Sequence, residues 1–331
     1  MPALDQPIVL DMRSGDISNA TAVERLGLRV MGVASAVLRP LGELGFSVVA
    51  KLVSSVLASK RQVCVIMSDD CRFTFPYGDG YWSILADRNH VYEPEVEWLL
   101  EQVRDVNYFF VDCGANYGFW SCRVSSERFG NKRSLAVELD PSTYGQLVKN
   151  ASANSDRFDV LNRGVSDVSG QLVPIYGAKH EARSLVNDGS DAVPRGEVET
   201  VTLDELLRTG AIEANGPVVL KLDVEGVEVE AMNGANDLLE RQLLIIYEDH
   251  GSDRSHTISR HVFDKLGMRV FGHSQKKGLY ELRSVDELSR IKINRRRGYD
   301  FFATRDSFWL ERLTSLFAAQ GDRQDTLAVV A

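Results

Sequence analysis

At 331 residues the chain has the length of one large domain with additions, or of two small ones. Its 38 basic and 47 acidic residues leave a net charge of −9, which argues against a general nucleic-acid binder, because a polyanion would be repelled. Cys64, Cys71, Cys113 and Cys122 form neither a C-x-x-C pair nor a zinc-ligand spacing, so a reduced, cytoplasmic protein is expected.

Residues 1–20 read as a loose lead-in, with Asp5, Asp11 and Asp16 where an export signal would want basic residues. Thr21 and Glu24 form a capping box, and Val23, Leu26, Val30, Val33 and Val37 follow at a three-four spacing that predicts a helix. Arg39-Pro40 ends it, and a second helix, apolar over most of its circumference, runs from about Leu41 to Ser59. Arg29, Arg39, Glu43 and Lys51 interrupt the pair, so neither helix reaches the roughly 18–20 uncharged residues of a membrane span. The pair is expected to pack on the main domain or on another subunit, which admits a homo-oligomer. The basic flank Lys60-Arg61 also admits peripheral membrane contact through these helices. Residues 1–61 are therefore read as an N-terminal helical extension.

Residues 62–107 lead into the core. Gln62 to Phe75 predicts two short strands turning at Ser68-Asp69-Asp70. The aromatic, glycine-rich Pro76-Tyr77-Gly78-Asp79-Gly80-Tyr81-Trp82 follows, suited to lining a pocket. Tyr92-Glu93-Pro94-Glu95-Val96 opens a helix through about Val103, and its Tyr92-Glu93 pair reads as a cap or as a pocket wall.

The core domain, residues 108–319, opens on an apolar run, Tyr108 to Val111, that predicts a buried strand. The run breaks at Asp112, passes Gly114 and Gly118 and enters a helix with Phe119, Cys122 and Ser126 on one face. Glycines there allow a tight turn and leave main chain bare for a ligand, and a helix N-terminus offers free N–H groups. A dinucleotide site would read Gly-x-Gly-x-x-Gly. Here Asp112 precedes the turn, and a carboxylate in that place repels pyrophosphate but attracts the ammonium of a methionine moiety. S-adenosylmethionine is expected over NAD.

Ser134 to Leu139 is the second strand, and Glu138, about 20 residues beyond the loop, is placed to accept both ribose hydroxyls. Phe158 to Asn162 is the third, followed by Ser166-Asp167, which suit an adenine edge or a local Asx bond. Residues 168–200 predict a hairpin and a mobile, lid-like segment in which His180 is exposed and idle. Val201 to Leu207 predicts a short helix. Pro217 to Leu222 is the fourth strand, running into Lys221-Leu222-Asp223-Val224-Glu225-Gly226, and Leu243 to Tyr247 the fifth, ending Glu248-Asp249-His250. Strands at Met268 to Phe271 and Tyr299 to Ala303, an amphipathic helix and a flexible tail over 320–331 complete the chain. Arg295-Arg296-Arg297, with Lys292, reads as a solvated basic face, or at a pocket mouth as a grip for a phosphate or uronate.

In an open α/β sheet, ligands lie beyond the carboxyl ends of the strands. Those ends here carry Asp112, Glu138, Asp223 with Glu225, and Glu248-Asp249-His250, so separate stretches of sequence would deliver acids to one edge. Asp-x-Gly-Ala-Asn-x-Gly at 112–118, Glu-Leu-Asp-Pro at 138–141, Val165-Ser166-Asp167 and Lys221 to Gly226 together resemble the FkbM family of S-adenosylmethionine-dependent methyltransferases, over about residues 70–250. The resemblance implies an α/β class I methyltransferase fold: a doubly wound, mostly parallel seven-stranded sheet with an antiparallel last strand. It implies methyl transfer to a hydroxyl of a sugar, glycan or glycosylated small molecule. Carried over, Asp112, Gly114, Asn116, Tyr117 and Gly118 form the methionine loop, Glu138 holds the ribose, Ser166 and Asp167 approach the adenine, and Asp223 sits near the sulfonium. Leu139-Asp140 stands where relatives often have a shorter Glu-Pro.

A sugar hydroxyl needs help to lose its proton near neutral pH, and His250 or Glu225 would serve as general base within a catalytic set of Asp223, Glu225, Asp249 and His250. Alternatively Asp223, Glu248 and Asp249 would hold a Mg²⁺ that orients a diol. Two rivals remain: an NAD-dependent oxidoreductase on a Rossmann-like fold, which lacks its third loop glycine here, and a non-catalytic ligand-binding protein of the same fold.

Overall fold

The computed structural model describes residues 3, 5–177, 179–186, 193–213 and 215–317, so the tail expected at 320–331 lies outside the described residues. The N-terminal part holds β1 (Ile8–Asp11), β2 (Ile17–Ser18), α1 (Ala22–Leu38), α2 (Phe46–Val56), β3 (Gln62–Ser68), β4 (Cys71–Pro76) and α3 (Pro94–Gln102). The lead-in is not loose. Ile8 to Asp11 pair parallel with Val63 to Ile66, giving a four-stranded sheet in the order β2-β1-β3-β4 that crosses the boundary drawn at residue 61. The free edge of β4 is closed by side chains rather than by a strand. Asn150 accepts from the Thr74 N–H at 2.8 Å and Asn154 from the Arg72 N–H at 2.9 Å, which satisfies an edge that would otherwise invite pairing.

The capping box at α1 forms as expected, Thr21 and Glu24 exchanging bonds of 3.2 and 2.8 Å. The apolar row is not its buried face. Gly27, Leu28, Met31, Gly32 and Ser35 are buried, and the row Val23, Leu26, Val30, Val33 and Val37 is exposed. Close approach decides the matter: a Cβ on Gly27 would stand 1.8 Å from the Tyr77 hydroxyl, and one on Gly32 2.6 Å from the Ala86 carbonyl. The small residues let α1 lie directly on the aromatic loop, and no branched row could.

The core continues with β5 (Phe109–Cys113), α4 (Phe119–Val124), β6 (Ser134–Glu138), α5 (Pro141–Ala153) and β7 (Asp159–Asn162). A small sheet follows, β8 (Gly164–Val165), β9 (Leu172–Ile175) and β10 (Gly196–Val201), in the order β8-β10-β9. The hairpin expected over 168–200 is β9 and β10; the mobile segment expected inside it includes residues 187–192, outside the described residues. Then come α6 (Leu203–Arg208), β11 (Val218–Leu222), α7 (Glu228–Asn233), β12 (Leu243–Glu248), β13 (Arg269–Ser274), β14 (Gly278–Leu282), β15 (Asp300–Thr304) and a helix over residues 307–317. Helix starts are chemically marked: Asp140 accepts from the N–H groups of Ser142 and Thr143 ahead of Pro141, and Thr202 from that of Glu205. Such caps are worth about 0.5–2 kcal/mol each.

The large sheet runs β14-β13-β15-β12-β11-β5-β6-β7. β7, β6, β5, β11 and β12 are parallel neighbours, and β15 enters antiparallel between β12 and β13. This is the class I methyltransferase arrangement with one strand more than the seven expected. The addition is β14, which doubles back from β13 after a polar turn and buries Leu279 and Leu282. Every residue of β5, β6 and β11 is buried, as strands covered on both faces must be. Phe110, Val219, Ile246 and Phe302 share one core with α5, α3 and the N-terminal sheet; Val111, Leu220, Ile245 and Phe301 share the other with α6 and α7. Strand order reverses between β5 and β11, which opens a crevice above their carboxyl ends.

Candidate active site

A cavity of about 590 Å³ occupies that crevice. Register determines what lines it. Asp112 stands beside Lys221 across β5 and β11, and Glu248 stands opposite Asp300 across β12 and β15. Because β15 is antiparallel, its first residue arrives at the edge where the parallel strands end. Asp300 is therefore a member of the acidic set that strand ends alone do not reveal.

Lys221 is buried and lies 2.9 Å from Asp223 and 3.5 Å from Glu93. Glu93, whose backbone sits in the left-handed region at φ 43°, makes no capping bond; its carboxylate accepts from the Trp120 indole N–H at 2.6 Å. Tyr92-Glu93 is thus a cleft wall. Around this one lysine gather Glu93, Asp112, Asp223, Glu225, Glu248 and Asp300, more carboxylates than it can neutralise. Burial, chiefly, holds Glu93 and Asp112 above the usual carboxylate range against the pull of Lys221. Burial and the facing charges of Asp223 and Asp300 drive Glu248 well up, and burial with Glu93 does the same to Asp300. Glu225 is open to the cleft, yet burial of its carboxyl and the charges of Asp223 and Glu228 push it up to about 8. A site this short of positive charge suits a cation.

The loop over residues 114–118 forms the floor. Gly114 adopts φ 78°, and a Cβ there would stand 1.7 Å from the Asp223 carbonyl, so only glycine lets the loop close on the end of β11. Asn116, also left-handed at φ 51°, is a joint between three segments. Its N–H donates to Glu138 at 2.9 Å, its side-chain oxygen accepts from the Trp82 indole at 2.9 Å, and its amide donates to the His180 carbonyl at 3.1 Å. Glu138 accepts a second N–H, from Asp140, at 2.9 Å. Burial nevertheless outweighs both bonds and raises it to about 7. Asp140 caps α5, so Leu139-Asp140 leaves Glu138 as the strand-end acid.

His180 is not idle. It lines the cleft, its ring stacks on Tyr117 with centroids 4.6 Å apart, and its Nε2 lies 3.0 Å from Asp79. Burial lowers its pKa, but the Asp79 hydrogen bond and charge outweigh that and raise it. Tyr117 backs this lid contact. Asp300 carries no signal in the sequence, His180 reads there as idle, and Asp79 and Glu93 read only as parts of pocket-lining stretches, without a role of their own. Each lies in a loop or at the start of an element, where no periodicity marks it.

Two expected assignments are corrected. Asp249 is fully buried and turned from the cleft: it is paired with Lys292, itself fully buried, and accepts from Ser259 at 2.5 Å. That pairing excludes it as base or metal ligand and removes Lys292 from the exposed basic run. Ser166 and Asp167 do not line the cleft either. Val165 is drawn into the small sheet by pairing with Val201, and the Ser166 carbonyl packs where a Cβ on Gly234 would come within 2.4 Å. His250 stands exposed at the rim, its Nδ1 2.6 Å from the Ser252 hydroxyl. Asp223, Glu225 and Glu248 bring oxygens within 4.8 Å of one another, so Glu225 takes the place expected of Asp249 in any metal set.

The acidic set has a thermodynamic consequence. Glu138 and Glu225 have ordinary values of 4.5 and folded-state values of about 7 and about 8. Carboxyls raised by folding stabilise the fold in their protonated form. Their contribution is fully present below the unfolded-state value and is lost as pH rises through the folded one. The melting temperature of the ligand-free protein should therefore fall between pH of about 5 and about 8, and Glu225→Gln should flatten that slope. A slope unchanged by the substitution would contradict the raised value of Glu225.

The sequence profile of the methyltransferase FkbM domain matches residues 112–270. Hexuronic acid methyltransferase AglP from Haloferax volcanii is 28% identical over 181 residues, covering 54% of this chain and 70% of its own. Among solved structures, a methyltransferase FkbM from Methylobacillus flagellatus KT aligns with 15% identity and a TM-score of 0.38 over 60% of this chain. The aligned part is 43% of that structure's chain. Precorrin-6y C5,15-methyltransferase from Geobacter metallireducens GS-15 aligns at 11% identity, with a TM-score of 0.35 over 63% of this chain and 86% of its own. At such scores the two alignments carry no weight beyond similarity.

Proposed function

We propose, from the match of residues 112–270 to the methyltransferase FkbM domain, that the chain acts as a methyltransferase of that kind and transfers a methyl group from S-adenosylmethionine to a hydroxyl of an acidic sugar or glycan. The observation that carries this reading is the delivery of carboxylates by β5, β6, β11 and β12 to one cleft, with the buried Lys221 beside Asp223.

The donor set fits the cofactor. S-adenosylmethionine, when bound, supplies a methyl group already activated on a cationic sulfur. The carboxyl oxygens of Asp112 and Asp223 in the cleft suit that cation and the neighbouring ammonium. Glu138 offers a buried carboxylate to a diol, held in place by the N–H groups of Asn116 and Asp140. The main chain at Gly114, Asn116 and Gly118 forms the turn beneath them, which Gly118 adopts at φ 82°.

With the methyl group activated, the chain's remaining tasks are alignment and removal of one proton. Glu225 takes that proton. It faces the cleft, and a carboxyl with a pKa of about 8 is matched to the task near neutral pH. His250 at the rim is the second candidate. The aromatic wall of Tyr81, Trp82, Tyr92 and Phe119 excludes water; the Tyr81 and Tyr92 hydroxyls are 2.7 Å apart and the Trp82 and Phe119 rings are stacked.

The mouth of the cleft supports an acidic acceptor. Arg296 lines the cleft, whereas Arg297 is tied to Glu95 at 2.9 Å. A guanidinium there, with no ion pair among the described residues, suits the paired oxygens of a uronate or phosphate, and the Haloferax volcanii relative is named for a hexuronic acid. Arg296→Ala should raise the KM for a uronate acceptor at least about tenfold, with kcat within about twofold, since it removes binding and not chemistry. An unchanged KM would remove the acidic group from the proposal.

A second reading places a divalent cation on Asp223, Glu225 and Glu248. The hard oxygen set within 4.8 Å supports it, and such a cation would orient a diol in place of the general base.

A further inference from the structure

The exposed row of α1 is continued on α2. Val33 and Val37 on the first helix are 65 and 66% exposed, and Val48, Leu52 and Val56 on the second 67, 63 and 72%. The two helices pack on each other, and their inner sides face the aromatic loop and the N-terminal sheet. Large apolar side chains repeated along both outer sides cost solvation free energy unless something covers them. No helix among the described residues is long and apolar enough to cross a membrane.

Charge identifies the cover. Residues 21–61 hold Arg25, Arg29, Arg39, Lys51, Lys60 and Arg61 against Glu24 and Glu43, a balance of 6 − 2 = +4 in a chain of −9. Glu24 is taken up by Arg61, and Glu43 lies 2.9 Å from the His90 ring. Arg29, Lys51 and Lys60 are exposed and make no ion pair among the described residues. Arg39 and Arg61 are already paired, with Asp87 and Glu24, and a second copy of the chain on this face would set the remaining exposed cations against themselves. An anionic lipid surface complements it: cations meet the headgroups and the apolar row enters the acyl boundary. Position gives the contact a purpose. The loop between the helices, Gly42 to Gly45, and the first residues of α2 border the catalytic cleft together with Arg296, and Ile293, 80% exposed, stands in the same rim segment.

We propose that the α1–α2 face docks on an anionic lipid surface and holds the mouth of the cleft at the membrane plane, where the acceptor is presented. The docking rests on the surface itself and not on the identity of the acceptor. Flotation of the full chain with phosphatidylcholine vesicles, with and without about 30 mol% phosphatidylglycerol, tests it. The chain should float with the anionic vesicles and bind neutral ones at least about tenfold more weakly; raising salt from about 0.1 to about 1 M should weaken the first. Val33→Asp with Leu52→Asp should reduce anionic binding at least about tenfold while melting temperature and S-adenosylhomocysteine affinity stay unchanged, both sites being exposed and outside the cleft. Lys51→Glu with Lys60→Glu should do the same through charge. Failure to float with anionic vesicles would overturn the proposal. So would a dimer in sedimentation that the aspartate pair dissociates, which would assign the face to a second copy.

Discussion

Glu225→Gln should lower turnover at least about 100-fold, the low end for loss of a general base, and leave S-adenosylhomocysteine affinity within about threefold. The substitution keeps the shape of the side chain and removes its capacity to take a proton. It also removes one charge from a set that is already crowded, and so should not harm folding. Glu225 occupies the left-handed region at φ 54° on the turn after β11, which aims it at the cleft and away from the helix that follows. Turnover of the unsubstituted protein should rise with pH up to about 8, as this carboxyl ionises. Single-turnover rates across pH are the decisive measurement. A Gln variant with more than about a tenth of the activity would transfer the role to His250 or to a bound metal.

Asp249→Ala should cost about 3–5 kcal/mol of stability, the penalty for stranding one member of a fully buried ion pair. The variant should melt at markedly lower temperature, and what remains folded should turn over normally. Lys292 would be left buried with only the Asp253 carbonyl at 2.8 Å and His256 at 3.1 Å. The pair ties the end of β12 to residues 253–259 and to the segment before β15, which places His250 and Arg296 at the rim. Asp249→Leu with Lys292→Met, apolar at both positions, should recover much of the loss. Loss of turnover without loss of stability in Asp249→Ala would return Asp249 to the catalytic set.

These two acids show how far the sequence is legible. Glu225 and Asp249 both follow a strand in an acid-rich run, and neighbouring sequence does not distinguish them. Their roles depend on which way the chain turns after the strand and on Lys292, 43 residues away. The parallel strands, the Gly114 turn and Glu138 were readable because buried strands impose continuous apolar runs and a close turn imposes glycine. What the α1 row meets was not legible for the converse reason. An apolar row at helical spacing does not say what covers it, and backbone-to-loop contact at Gly27 and Gly32 governs the packing and leaves the row exposed. Asp300 was hidden because only the antiparallel entry of β15 brings the start of a strand to the catalytic edge. Ser166-Asp167 kept its family signature but is pulled from the cleft by pairing in a small sheet.

Calorimetric titration with S-adenosylhomocysteine and with NADH, each with and without Mg²⁺, tests the central claim most directly. S-adenosylhomocysteine should bind and NADH should not, and Glu138→Ala should weaken the first at least about tenfold by removing the diol's acceptor. Binding that appears only with Mg²⁺ would favour the metal reading of Asp223, Glu225 and Glu248. Binding of NADH in place of S-adenosylhomocysteine would contradict the account.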